Sequence, residues 1–163
     1  MNDPLVQQLL DAIVQVTALY NRLALVVGPL GAGKTVALRG FAEFRGTPVI
    51  NVNLEMSRAL LEVPRAQRSV TAPRVLKELV EATPGDTVVL DNIEILFAPD
   101  LKLDPLRALR QLSRDRTLVA SWNGRVEGDR LLYAEPSHPE YRDYPAQGLT
   151  LVLAKSGPPG TTS

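Results

Sequence analysis

Apolar and polar positions follow one another along this chain in blocks, and the period of each block predicts an element. Leu5, Leu9, Ile13 and Val16 recur at helical spacing with Leu10 and Leu19 beside them. Pro4 to Tyr20 is therefore predicted as a helix, capped by Asp3 and opened by a first-turn proline. Leu23 to Val27 is a short unbroken apolar run, the pattern of a buried strand. Val36, Leu38, Phe41, Ala42 and Phe44 then give a helical apolar face. Gly46-Thr47-Pro48 marks a turn, and Val49 to Leu54 reads as a second strand with Glu55 at its end. Met56 to Leu61 begins a short helix that closes near Val63-Pro64, and Pro73 to Ala82 reads as another, ended by Thr83-Pro84-Gly85.

The second half follows the same rhythm. Val88, Val89 and Leu90 form a strand that ends in the carboxylate of Asp91. Asp104 caps a helix that opens with Pro105 and turns Leu106, Leu109 and Leu112 inward. Leu118 to Trp122 is the next strand, Gly124 to Gly128 a turn, and Arg130 to Glu135 a further strand. Pro136 to Pro145 is too rich in proline for regular structure and reads as an ordered loop or short helical turn. Leu149 to Leu153 is the last strand, placed at an edge, and residues 156–163 read as a flexible tail after a single domain spanning 1–155.

Between the first strand and its helix lies Gly28-Pro29-Leu30-Gly31-Ala32-Gly33-Lys34-Thr35, followed by Val36. It matches the phosphate-binding loop G-x-x-x-x-G-K-[ST] at every fixed position. Glycines let the backbone wrap a phosphate chain so that successive N–H groups point inward. Lys34 is the point charge for the β- and γ-phosphates of ATP, and the Thr35 hydroxyl is a ligand for Mg²⁺. The following helix aims its positive end at the same phosphates. Strand before and helix after are the context that the motif requires.

Asp91 at a strand end, well downstream of such a loop, has the form of a Walker B carboxylate, which holds Mg²⁺. ATPases of the additional-strand class, including the AAA+ group, often carry Glu directly after it to activate water. Here that residue is Asn92, and the next carboxylate is Glu94. Either Glu94 or Glu55 could serve as the base, or neither does and nucleotide is bound without efficient turnover. Asn123, just after a strand, stands where this class places a polar sensor for the γ-phosphate, with Ser121 as runner-up. Arg114 and Arg116 are the candidates for an arginine acting in trans, although ordinary surface charge explains them as well.

Strands alternating with helices predict a three-layer α/β fold with a mainly parallel sheet, of the additional-strand (AAA+/RecA-like) phosphate-loop type. The site then lies beyond the carboxyl ends of the strands. No room remains after Leu153 for the helical lid that completes an AAA+ module, so the expectation is a domain without a C-terminal lid.

Composition narrows the alternatives. The 163 residues hold 18 basic and 18 acidic side chains, so no global field draws in nucleic acid or an anionic membrane, although a local patch can. The absence of Cys excludes thiol chemistry, and the single histidine, His138, excludes a His-based metal cluster. No apolar run approaches a membrane span, and the reading is a cytoplasmic protein. Arg58, Arg65, Arg68 and Arg74 give the middle region a basic bias without aromatics, read as a solvated face.

Several segments are more particular than the loop. Asn51-Val-Asn-Leu-Glu-Met-Ser-Arg58, Leu90-Asp-Asn-Ile-Glu94, Leu103-Asp-Pro-Leu106 and Tyr133-Ala-Glu-Pro-Ser-His-Pro-Glu-Tyr141 together resemble BrxF, the small phosphate-loop proteins of type 3 bacteriophage-exclusion (BREX) systems. The resemblance covers roughly residues 20 to 145. It implies a role in bacterial defence against phage DNA, beside a DNA methyltransferase and other large subunits. The partners expected are those defence proteins, in a nucleotide-dependent homo-oligomer or hetero-complex that reaches DNA through them. The third reading, a small-molecule kinase, lacks an identifiable substrate lid or phosphate-clamping arginines.

Overall fold

The computed structural model describes residues 3–154. Its centre is β1 (Leu23–Gly28), whose six residues are all buried. Such a strand must be covered on both faces, and its alternation divides the core. Leu23, Leu25 and Val27 point to one face, while Ala24 and Val26 point to the other. On the second face lie α1 (Pro4–Val16) and α2 (Lys34–Arg45), which contribute Leu9, Ile13, Leu38 and Phe41. On the first lie α3 (Val52–Leu60), α4 (Arg68–Ala82) and α5 (Pro105–Leu112), with Met56, Leu76 and Leu109. Each of these side chains contributes about 1.5–3 kcal/mol by leaving water, so the two faces together fix the three-layer arrangement.

The remaining strands are β2 (Val49–Asn51), β3 (Thr87–Asp91), β4 (Thr117–Glu127), β5 (Arg130–Tyr133), β6 (Arg142–Pro145) and β7 (Thr150–Leu153). The main path of the sheet runs β2-β3-β4-β1-β7, with every pairing parallel. β4 therefore lies between the phosphate-loop strand and β3, the inserted strand that defines the expected class. β7 is at an edge, as its sequence predicts. Helix α5 is capped by Asp104, whose carboxylate accepts from the Arg107 N–H, again as predicted.

Local differences from the predicted elements have physical causes. The second strand stops at Asn51, because the Asn51 side chain accepts from the Leu54 N–H and starts α3. Glu55 consequently sits in the first turn of a helix. α1 ends at Val16, four residues short of Tyr20. Helix α4 begins before Pro73, which is exposed and lies in the second turn of the helix. β4 runs for eleven residues straight through the predicted turn at Gly124. The bend comes at Gly128, whose φ is +60°, and it leads into β5, antiparallel to β4. Residues 136–141 of the proline-rich stretch are loop and turn as expected, while Arg142–Pro145 form β6, an outer strand that pairs only with β5 and so tolerates Pro145. The predicted tail at 156–163 lies outside the described residues. No helix among the described residues is long and apolar enough to cross a membrane.

Candidate functional site

The carboxyl ends of four strands meet at one edge of the sheet. The register sets Gly28 beside Asn123, and Asn51 beside Asp91. Past Gly28 the chain turns through Gly31 and Gly33, whose φ values of +84° and +89° favour glycine, and enters α2 at Lys34. Gly28 itself has no room for a side chain, since a Cβ there would stand 2.6 Å from the Ala154 carbonyl oxygen of the neighbouring strand segment. The loop, α2 and the strand ends enclose a cleft of about 280 Å³ lined by Leu30, Lys34, Thr35, Asp91, Asn92 and Asn123 among others. The residues that the sequence singles out as phosphate loop, Walker B carboxylate and polar sensor thus share one cavity.

Lys34 is only 5% exposed. Its ammonium donates to the carbonyls of Gly28 at 2.8 Å and Pro29 at 2.7 Å, so it is folded back onto its own loop. Burial lowers its pKa, opposed by the charges of Asp91 and Glu94. An anion in the cleft would replace two carbonyl dipoles with a full charge as the partner of this ammonium.

Asp91 is equally buried and fully engaged. One oxygen accepts from the Thr35 hydroxyl at 2.7 Å, and the other accepts from the Ser121 hydroxyl at 2.7 Å and the Asn92 N–H at 2.9 Å. Ser121, the runner-up for sensor, is instead what orients Asp91. A hydroxyl and a carboxylate in contact at the foot of a phosphate loop form a hard oxygen donor set. It fits Mg²⁺, which keeps most of its waters and takes one or two protein oxygens plus phosphate. Thr35 and Asp91 are the residues that would hold the ion.

Beyond Asp91 the backbone turns sharply, with Asn92 at φ +52°. Asn accepts that left-handed conformation more readily than most residues. The turn delivers Glu94, three positions on, to a place behind Asn123; Glu94 is not itself among the residues lining the cleft and connects to it through the Asn123 amide. Its carboxylate accepts from the Asn123 amide at 2.7 Å and from the Asn53 amide at 3.1 Å. Asn53 is fixed in turn, because its side-chain Oδ1 accepts from the Ile95 N–H at 2.7 Å and its backbone N–H donates to the Asn92 carbonyl at 2.8 Å. Burial raises the Glu94 pKa, helped by the Asp91 charge and opposed by its backbone N–H, Asn53 and Lys34. Asn123 therefore does two things: it faces the cleft and it holds Glu94. Asn53 escaped the sequence reading because it sat in a segment read as strand; the pair Asn51 and Asn53 at a strand end was the available signal.

The other candidates lie elsewhere. Glu55, the alternative base, pairs with Arg58 at 3.6 Å on α3 and does not line the cleft. Arg114 and Arg116 precede β4, at the amino edge of the sheet, about 20 Å of strand from Asn123. Arg116 is occupied by the fold, donating to the carbonyls of Val80 at 3.0 Å and Thr83 at 2.8 Å. Arg114 is exposed, its guanidinium 5.1 Å from the centre of the Tyr20 ring. His138 is exposed and accepts from the Glu140 N–H.

No protein-family model and no curated protein matches the sequence. Solved structures do match. One is the replication initiator DnaA bound to AMPPCP and single-stranded DNA, at 16% identity and a TM-score of 0.52, covering 93% of this chain and 45% of that one. Another is a DNA replication initiation factor, at 18% identity and a TM-score of 0.50, covering 91% of this chain and 44% of that one. The chain spans less than half the length of either. At such identities the likeness is one of fold, a three-layer α/β domain with a mainly parallel sheet, and the phosphate-loop sequence lies between its β1 and α2.

Proposed function

We propose that this chain binds ATP with Mg²⁺ at the phosphate loop and acts as a weak or partner-activated ATPase subunit in a bacterial anti-phage (BREX) complex that works on DNA. One observation carries the enzymatic half. The site holds two carboxylates in different settings, Asp91 bound to the hydroxyls of Thr35 and Ser121, and Glu94 with its pKa raised by burial and its oxygens held by the amides of Asn53 and Asn123. The first is suited to a cation and the second to a proton. Bound Mg²⁺ would neutralise phosphate charge at Thr35 and Asp91. Lys34 leaves the carbonyls of Gly28 and Pro29 for the β- and γ-phosphate oxygens. Glu94 takes a proton from water as the water oxygen bonds to the γ-phosphorus and the bond to the β–γ bridging oxygen breaks, releasing ADP. Asn123 keeps Glu94 aimed while that happens. A base whose pKa is raised toward the working pH is the stronger proton acceptor.

The defence role rests on the BrxF resemblance. Two of its segments supply Asn53, Asp91 and Glu94, so the family-like sequence and the site chemistry coincide. A second reading is a nucleotide-gated adaptor without efficient hydrolysis. Asn92 directly after Asp91, where a Glu would activate water, favours it. Single-turnover hydrolysis by the purified protein, alone and with candidate partner proteins or DNA, separates the two. Turnover that appears or rises on addition of partner supports the ATPase. Nucleotide binding with no turnover in any mixture establishes the adaptor.

A further inference from the structure

A second groove of about 400 Å³, separate from the phosphate-loop cleft, runs along α5 from Asn21 and Arg114 near the amino edge of the sheet to Tyr144 of β6, with Arg107, Arg110 and Gln111 between. The three arginines stand apart from most basic residues of the chain. In the basic middle region Arg58 pairs with Glu55, Arg65 with Asp100, Arg74 with Glu78 and Lys77 with Glu81, while Arg68 donates to the Val63 carbonyl. Among the described residues, none of Arg107, Arg110 and Arg114 forms an ion pair. The acid at the groove, Asp104, is engaged, accepting from the Arg107 N–H at 3.2 Å and from the Tyr144 hydroxyl at 2.8 Å.

Arg107 and Arg110 are one helical turn apart, about 4.5 Å along the axis, and Arg114 continues the row just past the end of α5. Tyr20, 73% exposed, lies under the Arg114 guanidinium, and Tyr144 closes the other side. A concave row of guanidinium groups free of ion pairs, with the exposed Tyr20 ring and the half-buried Tyr144 ring beside it, matches the chemistry of a single-stranded nucleic acid. Its phosphates need evenly spaced cations, and its bases need flat apolar surfaces. An acidic protein surface would use the charges and leave the exposed Tyr20 ring unused. The neutral whole-chain balance is consistent with this, because the attraction is local.

We propose that the α5 groove is a binding site for the phosphodiester backbone of single-stranded nucleic acid, contacted by this chain directly and independently of the phosphate loop. The test is fluorescence anisotropy of a short labelled oligothymidine strand. Three phosphate contacts predict a slope of log affinity against log salt of about −2, hence about 20-fold weaker binding between about 50 and 200 mM salt. Arg107→Gln with Arg110→Gln should lose on the order of 10-fold in affinity and flatten the slope to about −1, with melting temperature and ATP binding unchanged. Arg107→Lys with Arg110→Lys should retain most of the binding, and Lys34→Ala should retain all of it. The proposal is overturned by no oligonucleotide binding at about 50 mM salt, or by binding that the Gln variant keeps and Lys34→Ala loses. Duplex bound more tightly than single strand, or polyglutamate peptide bound in preference to the oligonucleotide, also overturns it.

Discussion

Asn123 and Glu94 meet across 2.7 Å, one from the strand inserted beside the phosphate-loop strand, the other from the turn that follows Asp91. A residue that faces the cleft thus directly positions the carboxylate proposed as base. Glu94→Gln is expected to bind ATP as the wild type does and to lose on the order of 10²-fold or more in turnover. Glu55→Gln, remote on α3, is expected to turn over normally. A steady-state or single-turnover comparison of the two decides the assignment, and a loss confined to Glu55→Gln would move the base to α3.

The same carboxylate predicts a pH dependence. Its pKa is raised chiefly by burial, and the base works only when ionised. Turnover should therefore fall, as pH falls, at a pH above the ordinary Glu value of about 4.3. Asn53 favours the ionised form by donating to it. Asn53→Leu removes that donor, so the acidic limb of the pH–rate profile should move to still higher pH. A limb that stays at the wild-type position would show that Asn53 does not act on Glu94.

Two arginines read together in the sequence should separate by stability. Arg116 joins the end of α4 to the start of β4 through the Val80 and Thr83 carbonyls. Its removal leaves those carbonyls without a charged donor, a loss of about 1.5–3 kcal/mol at most, lowered by partial exposure. Thermal melting should drop for Arg116→Ala and stay near wild type for Arg114→Ala. Equal melting of both would contradict the assigned contacts.

Arg114 then remains the candidate for a charge supplied to a neighbouring subunit, since it lies at the far end of β4 from its own phosphate loop. ATP with Mg²⁺ should promote self-association or docking to a partner, and specific activity should rise with protein concentration. Arg114→Ala should keep ATP binding and lose that rise. Mass by light scattering, with and without a non-hydrolysable ATP analogue, gives the answer. A monomer in every condition, with activity independent of concentration, refutes it.

The parts of the site legible in the sequence are those carried by contiguous pattern. Gly28 to Thr35 is a motif, and Asp91 and Asn123 each follow a short apolar run, rich in β-branched or aromatic residues, that reads as a buried strand. What stayed hidden depends on contacts between distant segments. Asn53 reaches Glu94 only because Asn51 stops β2 and starts α3, a competition between strand pattern and side-chain cap that local alternation does not resolve. Gly124 looks like a turn residue, yet it is a strand position left bare for packing. A Cβ there would strike the Leu132 carbonyl and stand 2.9 Å from the Trp122 ring, whose Nε1–H donates to that same carbonyl. Tyr133 stacks on Phe97 with centroids 3.6 Å apart, near Glu94, and its phenol pKa is pushed up to about 12 by burial. No spacing along the chain announces that aromatic cluster.

The central claim is that the cleft at Gly28 to Thr35 is a nucleotide site, and titration of a fluorescent ATP analogue with Mg²⁺ into wild type and Lys34→Ala tests it most directly. The ammonium of Lys34 is the buried cation of the loop and should pass from the Gly28 and Pro29 carbonyls to the phosphates. A charged hydrogen bond of about 1.5–3 kcal/mol corresponds to an affinity loss of about 10- to 100-fold in the variant, with its circular dichroism unchanged. Saturable, Mg²⁺-dependent binding by wild type that weakens by that margin is the predicted result. Equal affinity in the two proteins, or no binding by wild type, would contradict the account.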